Sequence, residues 1–135
     1  MIPKFRGLSV ESFNEEEWKY GYLIEDEGYS FIINQVIEAN EQYITIGSWC
    51  PVNPATLGQS TDMVDRDGKI IFEGDIVKMS KDVYSEPTYY EVVRHYGGAY
   101  RLESKQHGCE LWLRHTDCEV VGNIYENPEL LEDKK

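Results

Sequence analysis

The sequence predicts a mainly β fold, and three observations lead to this prediction. Short segments that alternate between apolar and polar residues recur along the 135 residues, and they are rich in aromatic and β-branched side chains. Glycine, proline, asparagine and aspartate interrupt these segments at short intervals, as in turns between strands. Only one stretch, residues 31–41, fits a helix as well as a strand.

The N-terminal half contains three predicted strands followed by a loop. Residues 17–26 alternate around Gly21, and the segments YSFIIN and QYITIGSW follow after polar breaks. The next segment, CPVNPATLGQST at residues 50–61, contains two prolines and one glycine, which favours a loop with one helical turn. We place the internal boundary of the chain in this loop, after residue 60.

The stretch DMVDRDGKIIFEGDIVKM, residues 62–79, fits either a calcium loop or a turn between strands. When Gly68 is aligned with the obligatory glycine of a calcium loop, two oxygen ligands are missing, including the bidentate glutamate. A turn requires only an Asp-Gly pair that accepts a positive φ. We therefore predict a turn at RDGK, a short strand, a tight bend at EGD and a strand from Asp75 to Met79.

Four more strands are predicted beyond this point, at residues 88–96, 98–104, 109–115 and 118–127. Together with the strand that begins at Asp75, they provide about five short strands, which suffice for a small barrel. The last residues, ENPELLEDKK, are predicted to form a solvated tail or a short terminal helix.

The net charge of −12 restricts the partners of the chain. A phosphate backbone repels an acidic chain, so we predict no general nucleic-acid binding. The alternative is an acidic mimic of DNA, whose carboxylates would have to be spaced along one surface like phosphates.

Other features of the sequence predict a cytoplasmic protein without a membrane segment. The longest apolar runs are much shorter than the ~20 residues of a membrane helix. The N-terminus lacks the apolar region of a secretory signal. Three cysteines, Cys50, Cys109 and Cys118, form no disulfide pattern, and we expect them to be thiols in a reducing compartment.

The sequence contains no signature of catalysis, so we predict that the chain is not an enzyme and uses no cofactor. Neither GxSxG nor a P-loop nor a dinucleotide fingerprint occurs. Glu73 and Asp75 would act as acid and base only in a cleft, and beside Gly74 such residues are more typical of a turn.

The segment HGCELWLRHTDC is a candidate zinc site. Its residues His107, Cys109, His115 and Cys118 are of the types that close a tetrahedral zinc site. Their spacing is not that of a common zinc finger, so we predict ordinary buried cysteines and surface histidines and no metal site, with zinc as the alternative.

Residues 94–115 carry the clearest electrostatic signal in the sequence. This segment has a charge of +2, whereas the remainder of the chain has a charge of −14. Arginine binds phosphate and carboxylate groups through paired hydrogen bonds, and aromatic faces stack on bases. We therefore predict a ligand site formed by Arg94, Tyr100, Arg101, Trp112 and Arg114. The alternative is that these cations pair with carboxylates of the chain itself or of another subunit.

Four segments of the chain match one family in sequence order: KFRGLS at 4–9, WKYGYLI at 18–24, the run from 52 to 79, and EVVGNIYENPELL at 119–131. Together they resemble the YopX-like family of small phage and prophage proteins. The elements EGDIV and GNIYENPELL are the most specific. One departure lies at GQSTDM, where the family reads closer to GQFTGL, so Ser60 replaces an aromatic residue and Asp62 a glycine.

The resemblance implies a fold and a biological setting. The C-terminal part is similar to a small SH3-like barrel, so we expect this barrel at residues 61–127. Residues 1–60 are then a β-rich (α+β) subdomain packed on it, and residues 128–135 are a tail. The phage association implies an accessory role in the cytoplasm of a bacterial host, and the family supplies no catalytic residues that match positions here.

The leading hypothesis is a non-enzymatic binding protein that modulates or evades a host process. Its partner is a host protein or an anionic small molecule such as a signalling nucleotide. The competing hypothesis is a self-associating structural or assembly protein, for which Trp49 and the TLGQ segment at 56–59 are candidate contact residues.

Overall fold

The computed structural model describes residues 4–10, 17–80, 86–95, 98–105 and 108–132. The chain divides into two compact units, Met1–Gln59 and Ser60–Lys135, and this division lies next to the boundary predicted after residue 60. The described residues are mainly antiparallel β-strands, which confirms the predicted fold class at this level.

The first unit is built from four strands, a helical turn and the start of a fifth strand. These elements are β1 (Phe5–Leu8), β2 (Trp18–Asp26), β3 (Tyr29–Ala39), β4 (Ile44–Val52), a 3-10 turn (Pro54–Thr56) and β5 (Gly58–Val64). The strands pair in the order β4-β3-β2-β1, and β1 also pairs with the first residues of β5. Residues 31–41, which also fitted a helix, belong mainly to β3 because they pair along β4.

Two local features explain how the first unit is held together. A Cβ atom at Gly21 would lie 2.0 Å from the carbonyl oxygen of Ile33, so glycine lets β2 approach β3 at this point. At the other side, Ser9 forms a bridge with Val52, and the Val10 amide donates to the Pro51 carbonyl over 3.2 Å. The end of β4 therefore pairs with the chain that follows β1.

The second unit contains a five-stranded antiparallel sheet and a hairpin. Its elements after β5 are β6 (Ile70–Phe72), β7 (Asp75–Ser80), β8 (Pro87–Arg94), β9 (Tyr100–Glu103), β10 (Gly108–Glu110), α1 (Leu111–Arg114), a 3-10 turn (His115–Asp117), β11 (Glu119–Asn123) and a 3-10 turn (Pro128–Leu131). The sheet has the order β10-β9-β8-β7-β11, and β5 pairs with β6. Within the described ranges no pairing joins the outer strands β10 and β11, so a closed SH3-like barrel stays a prediction.

The core of the second unit has residues from several of these elements. The fully or almost fully buried apolar members are Ile71, Val77, Met79, Tyr90, Val92, Leu102, Leu111 and Cys118. The segment CELWLRH was predicted as one strand, but only its start pairs with β9, and Leu111–Arg114 is a helical turn. Leu111 is its one buried residue, whereas Trp112 and Leu113 face solvent, which a helical turn allows.

The stretch 62–79 contains a turn, as predicted. Gly68 has a φ of +84°, and Asp65 Oδ1 accepts hydrogen bonds of 2.9 Å from the amides of Asp67 and Lys69. Asp65 Oδ2 accepts a third, of 2.9 Å, from the Val120 amide in β11. The carboxylate therefore holds the turn against the end of the sheet.

None of the helices in the described residues has the length and apolar character needed to cross a bilayer.

Candidate anion-binding site

The residues predicted to bind a ligand lie at separate places in the second unit. Arg94 of β8 pairs with Tyr100 of β9, so these two are direct cross-strand neighbours. Arg101 follows Tyr100 in the strand, and successive side chains of a strand point to opposite faces. Arg101 is bound by two carboxylates, Glu103 over 2.9 Å and Glu110.

Nearby charged groups shift the pKa of Tyr100. Burial raises the pKa of the Tyr100 hydroxyl, the carboxylates of Glu73 and Asp62 raise it further, and Arg94 acts in the opposite direction. Tyr100 and Arg94 thus belong to one charged neighbourhood, whereas Arg101 is paired with Glu103 and Glu110.

The other two predicted residues lie on the helical turn α1. Trp112 is 64% exposed. Arg114 donates a 2.9 Å hydrogen bond from Nη2 to the Ser80 carbonyl and one of 2.9 Å from Nε to Asp117. Whether the five residues bind a ligand stays a prediction, but Arg114 is the only one of them that lines the pocket described next.

A surface pocket of about 470 Å³ lies in the second unit. It is lined by Arg66, Lys78, Met79, Ser80, Pro87, Arg114, Asp117 and Glu119. Strand β7 supplies three of these residues, and the first residues of β8 and β11 supply one each. Arg66 and Asp117 lie in turns, and Arg114 ends α1. The pocket thus combines three cations and two carboxylates.

Both arginines of the pocket are held by carboxylates of the pocket. Arg66 Nη2 lies 2.8 Å from Glu119 Oε1, and Arg114 Nε lies 2.9 Å from Asp117 Oδ2. These pairs are partly exposed, so each contributes little to stability, about 0–1 kcal/mol. Each pair joins a guanidinium group that lines the pocket to a carboxylate that also lines it.

Lys78 is the third cation of the pocket. It is half-buried, and its ammonium forms no hydrogen bond or ion pair with any residue in the described ranges. Its cross-strand neighbour in β11 is Glu119, but that carboxylate is bound to Arg66. Among the described residues, no carboxylate therefore neutralises this positive charge of the pocket.

Sequence reasoning missed Arg66 and Lys78 as site residues. The only signal was that Lys78 stands between Val77 and Met79, two residues expected to face the core, so its side chain points the other way. Strand β7 pairs with β11, and this pairing brings Lys78 to Glu119 and to the turn that contains Arg66. The two strands are far apart in the sequence, so no pattern of neighbouring residues predicts the pairing.

The zinc candidate gains no support from the described residues. His107 lies outside them, and no group of three or more potential metal ligands occurs among the residues that the structure does describe. Burial raises the pKa of the Cys118 thiol to about 12, and Sγ donates a 3.3 Å hydrogen bond to the Arg114 carbonyl. The Cys118 thiol is therefore protonated near pH 7.

The acidic pair at EGD belongs to a turn. Asp75 is 2% exposed, and its Oδ2 accepts a 2.8 Å hydrogen bond from the Phe72 amide across the bend. Gly74 has a φ of +90°, which glycine adopts without strain. Asp75 thus holds the bend between β6 and β7.

These features describe a two-unit, mainly antiparallel β protein with a cationic surface pocket in its second unit. The family model described as YopX protein matches residues 4–132, and the chain belongs to this family.

Two solved structures are similar to the chain over almost all of its length. Protein EF1440 from Enterococcus faecalis is 30% identical, with a TM-score of 0.65, and the match covers 98% of this chain and 99% of that one. Protein YopX from Bacillus subtilis is 25% identical, with a TM-score of 0.55 and full coverage of both chains. A comparison with curated proteins gave no match.

Proposed function

We propose that the chain is a non-enzymatic binding protein whose second unit holds a small anionic ligand in the pocket around Lys78. The observation that carries this proposal is the Lys78 ammonium, which is paired with no described carboxylate and lines the same pocket as two arginines. The ligand class is a phosphate-bearing molecule such as a signalling nucleotide. In the phage setting that the family resemblance implies, the protein would modulate or evade a host process in the bacterial cytoplasm.

The physical chemistry of the pocket supports this ligand class. An ammonium acts as a compact point charge toward phosphate, and guanidinium groups offer further donors. The volume of about 470 Å³ falls in the range of roughly 300–1,000 Å³ found for small-molecule sites. The SH3-like barrel that the resemblance implies is the finer fold that we propose for this unit, with the pocket beside its β7 and β11 strands.

Calorimetric titration with a panel of linear and cyclic nucleotides and with inorganic phosphate tests this proposal. We expect Lys78→Met to weaken binding about tenfold, since it removes one charge-assisted hydrogen bond worth roughly 1.5 kcal/mol and keeps the aliphatic stem. The matched control is Lys69→Met, which changes an exposed lysine outside the pocket and should leave the affinity unchanged.

A second pair of variants separates this pocket from the site predicted from the sequence. Arg114→Ala should weaken binding, because Arg114 lines the pocket. Arg101→Ala should not, because Arg101 is bound to Glu103 and Glu110. If Arg101→Ala weakens binding and Lys78→Met does not, the ligand occupies the site formed by Arg94, Tyr100 and Arg101.

Self-association is a second candidate function, and the surface of the first unit favours it. Many of its large apolar side chains are exposed, including Trp49, which is 58% exposed. The TLGQ segment offers less, because Thr56 and Gly58 are buried. Light scattering coupled to size-exclusion chromatography tests this candidate, and a single monomeric species at high micromolar concentration would remove it. The acidic DNA mimic stays an open alternative without a specific observation in its favour.

A further inference from the structure

Strand β4 is an edge strand over most of its length. It ends the order of paired strands in the first unit, with β3 as its neighbour on one side. On the other side, pairing with the described residues is confined to its last two positions, where Pro51 and Val52 meet Val10 and Ser9. Residues 44–49 therefore present a row of backbone N–H and C=O groups to which no described strand is paired.

This edge carries no charged side chain, although its register with β3 shifts at a β-bulge beside Gly47. Natural edges carry charged side chains, particularly lysine, which prevent pairing with another chain. Strand β4 has the sequence ITIGSWCPV, which contains no charged residue. Its one proline lies in the part that already pairs with Val10.

Strands β3 and β4 extend past the rest of the sheet as a hairpin arm, which we define as residues 34–49. Strand β2 pairs with β3 only as far as Ile33, and every residue from 34 to 47 is exposed. A two-stranded ribbon is marginally stable by itself in water. An arm of this kind gains stability when another strand pairs with it.

The arm also carries a large apolar surface. Six of its large side chains are between 38% and 66% exposed: Val36, Ile37, Tyr43, Ile44, Ile46 and Trp49. Three of the six, Ile44, Ile46 and Trp49, belong to β4 itself, the strand with an open edge.

We propose that a second copy of this chain pairs with the arm, β4 against β4, antiparallel about a two-fold axis. This inference rests on self-association, the second candidate function. An antiparallel edge is complementary to itself, since the same row of donors and acceptors meets its own copy after a two-fold rotation. The net charge of −12 makes two copies repel each other, and the uncharged β4 is a place where they meet with little repulsion.

Sedimentation velocity of the full chain across a concentration series tests the proposal. We expect the wild type to self-associate, and we expect Ile44→Glu and Ile46→Glu each to raise the dissociation constant at least tenfold. A glutamate on β4 places like charges near each other across the two-fold axis. Both positions are exposed, so we expect the variants to remain folded as monomers.

The matched control is Leu113→Glu, which changes a 56% exposed residue of α1 in the second unit. It should leave self-association unchanged. Hydrogen exchange adds a readout specific to the backbone, because the amides of residues 44–49 that point away from β3 should be protected at high concentration and exchange faster on dilution.

Two results would overturn the proposal: a wild type that stays monomeric over the whole concentration series, or glutamate variants that associate as tightly as the wild type. The second result would leave self-association intact and place it at another surface. Neither result affects anion binding, which is measured separately by titration with nucleotides.

Discussion

Asp62 occupies a backbone conformation that glycine adopts more readily. Its φ is +62°, in the left-handed region, and it stands where the family pattern has glycine. The strain is small for aspartate, which tolerates this region better than most residues, and the Asp62 amide donates to Ser60 Oγ over 3.1 Å. Aspartate therefore fits at this position in place of glycine, with a small amount of backbone strain.

The variant Asp62→Gly should be slightly more stable than the wild type, by about 0.5 kcal/mol, whereas Asp62→Ala should be less stable. Glycine adopts the positive φ without strain, but it also raises the entropy of the unfolded state, so the net gain in stability is modest. Alanine keeps the backbone strain and lacks the polar side chain that helps aspartate to tolerate this conformation. Urea unfolding measures both. An alanine variant as stable as the glycine variant would show that the φ at this position carries no cost.

Asp65 is a second residue whose environment has a measurable consequence. Burial disfavours its charged form, but three hydrogen bonds from the amides of Val120, Lys69 and Asp67 outweigh burial and hold the pKa of the carboxyl below its ordinary value. A carboxyl group whose pKa is lower in the folded than in the unfolded state stabilises the fold. This stabilisation is fully present above the unfolded-state pKa, which is near 3.9 for an aspartate, and it is lost as the pH falls through the folded-state pKa.

Asp65→Asn should therefore destabilise the protein by about 1–3 kcal/mol at pH 7, and the difference from wild type should shrink as the pH falls below about 4. Urea unfolding at a series of pH values measures this difference. The control is Asp67→Asn, at an exposed neighbouring carboxylate that should change stability by less than about 0.5 kcal/mol. A difference between Asp65→Asn and wild type that is constant from pH 7 to pH 3 would contradict the account.

At the scale of elements, the pairing of β2 with β3 depends on Gly21. Any side chain there meets the Ile33 carbonyl, which belongs to the backbone and moves only with the strand. Gly21→Ala should destabilise the first unit by more than about 2 kcal/mol, because β2 must shift away from β3. Gly28→Ala is the control, since a Cβ there meets nothing within 4 Å and only the positive φ opposes it. Thermal unfolding compares the two, and equal melting temperatures would contradict the close approach.

Much of the strand pattern could be predicted from the sequence, because alternation and turn residues act locally. The alternation around Gly21 gave β2, and the Asp-Gly pair at Gly68 gave the turn before β6. Strand β1 and the helical turn at Leu111 were not predicted. Strand β1 has only four residues, and the apolar residues that follow Glu110 fit a strand as well as a helical turn.

The candidate pocket was harder to predict from the sequence than the strands were. Clustering of basic residues pointed to 94–115, but clustering along the chain does not show which cations are neutralised. Arg101 is bound by Glu103 and Glu110, whereas Lys78 is isolated in sequence from other cations of the pocket. Only the pairing of β7 with β11 brings it to Glu119 and Arg66.

At the scale of the whole molecule, charge and apolar surface are distributed unevenly. The chain has a net charge of −12, yet its second unit has a pocket with three cations, and its first unit has an uncharged edge strand. Acidic surface repels anions at a distance of up to ~10 Å at ordinary salt, so an anionic ligand is admitted only where cations outnumber carboxylates. The pocket around Lys78 meets this condition.

NMR shows directly whether an anionic ligand binds at this pocket. Backbone amide shifts of the full chain should be recorded while the nucleotide that binds most tightly in calorimetry is added. We expect saturable shifts at Lys78, Ser80 and Glu119, and their loss in Lys78→Met. Shifts confined to Arg94, Tyr100 and Arg101, or no saturable shift with any nucleotide of the panel, would contradict this expectation.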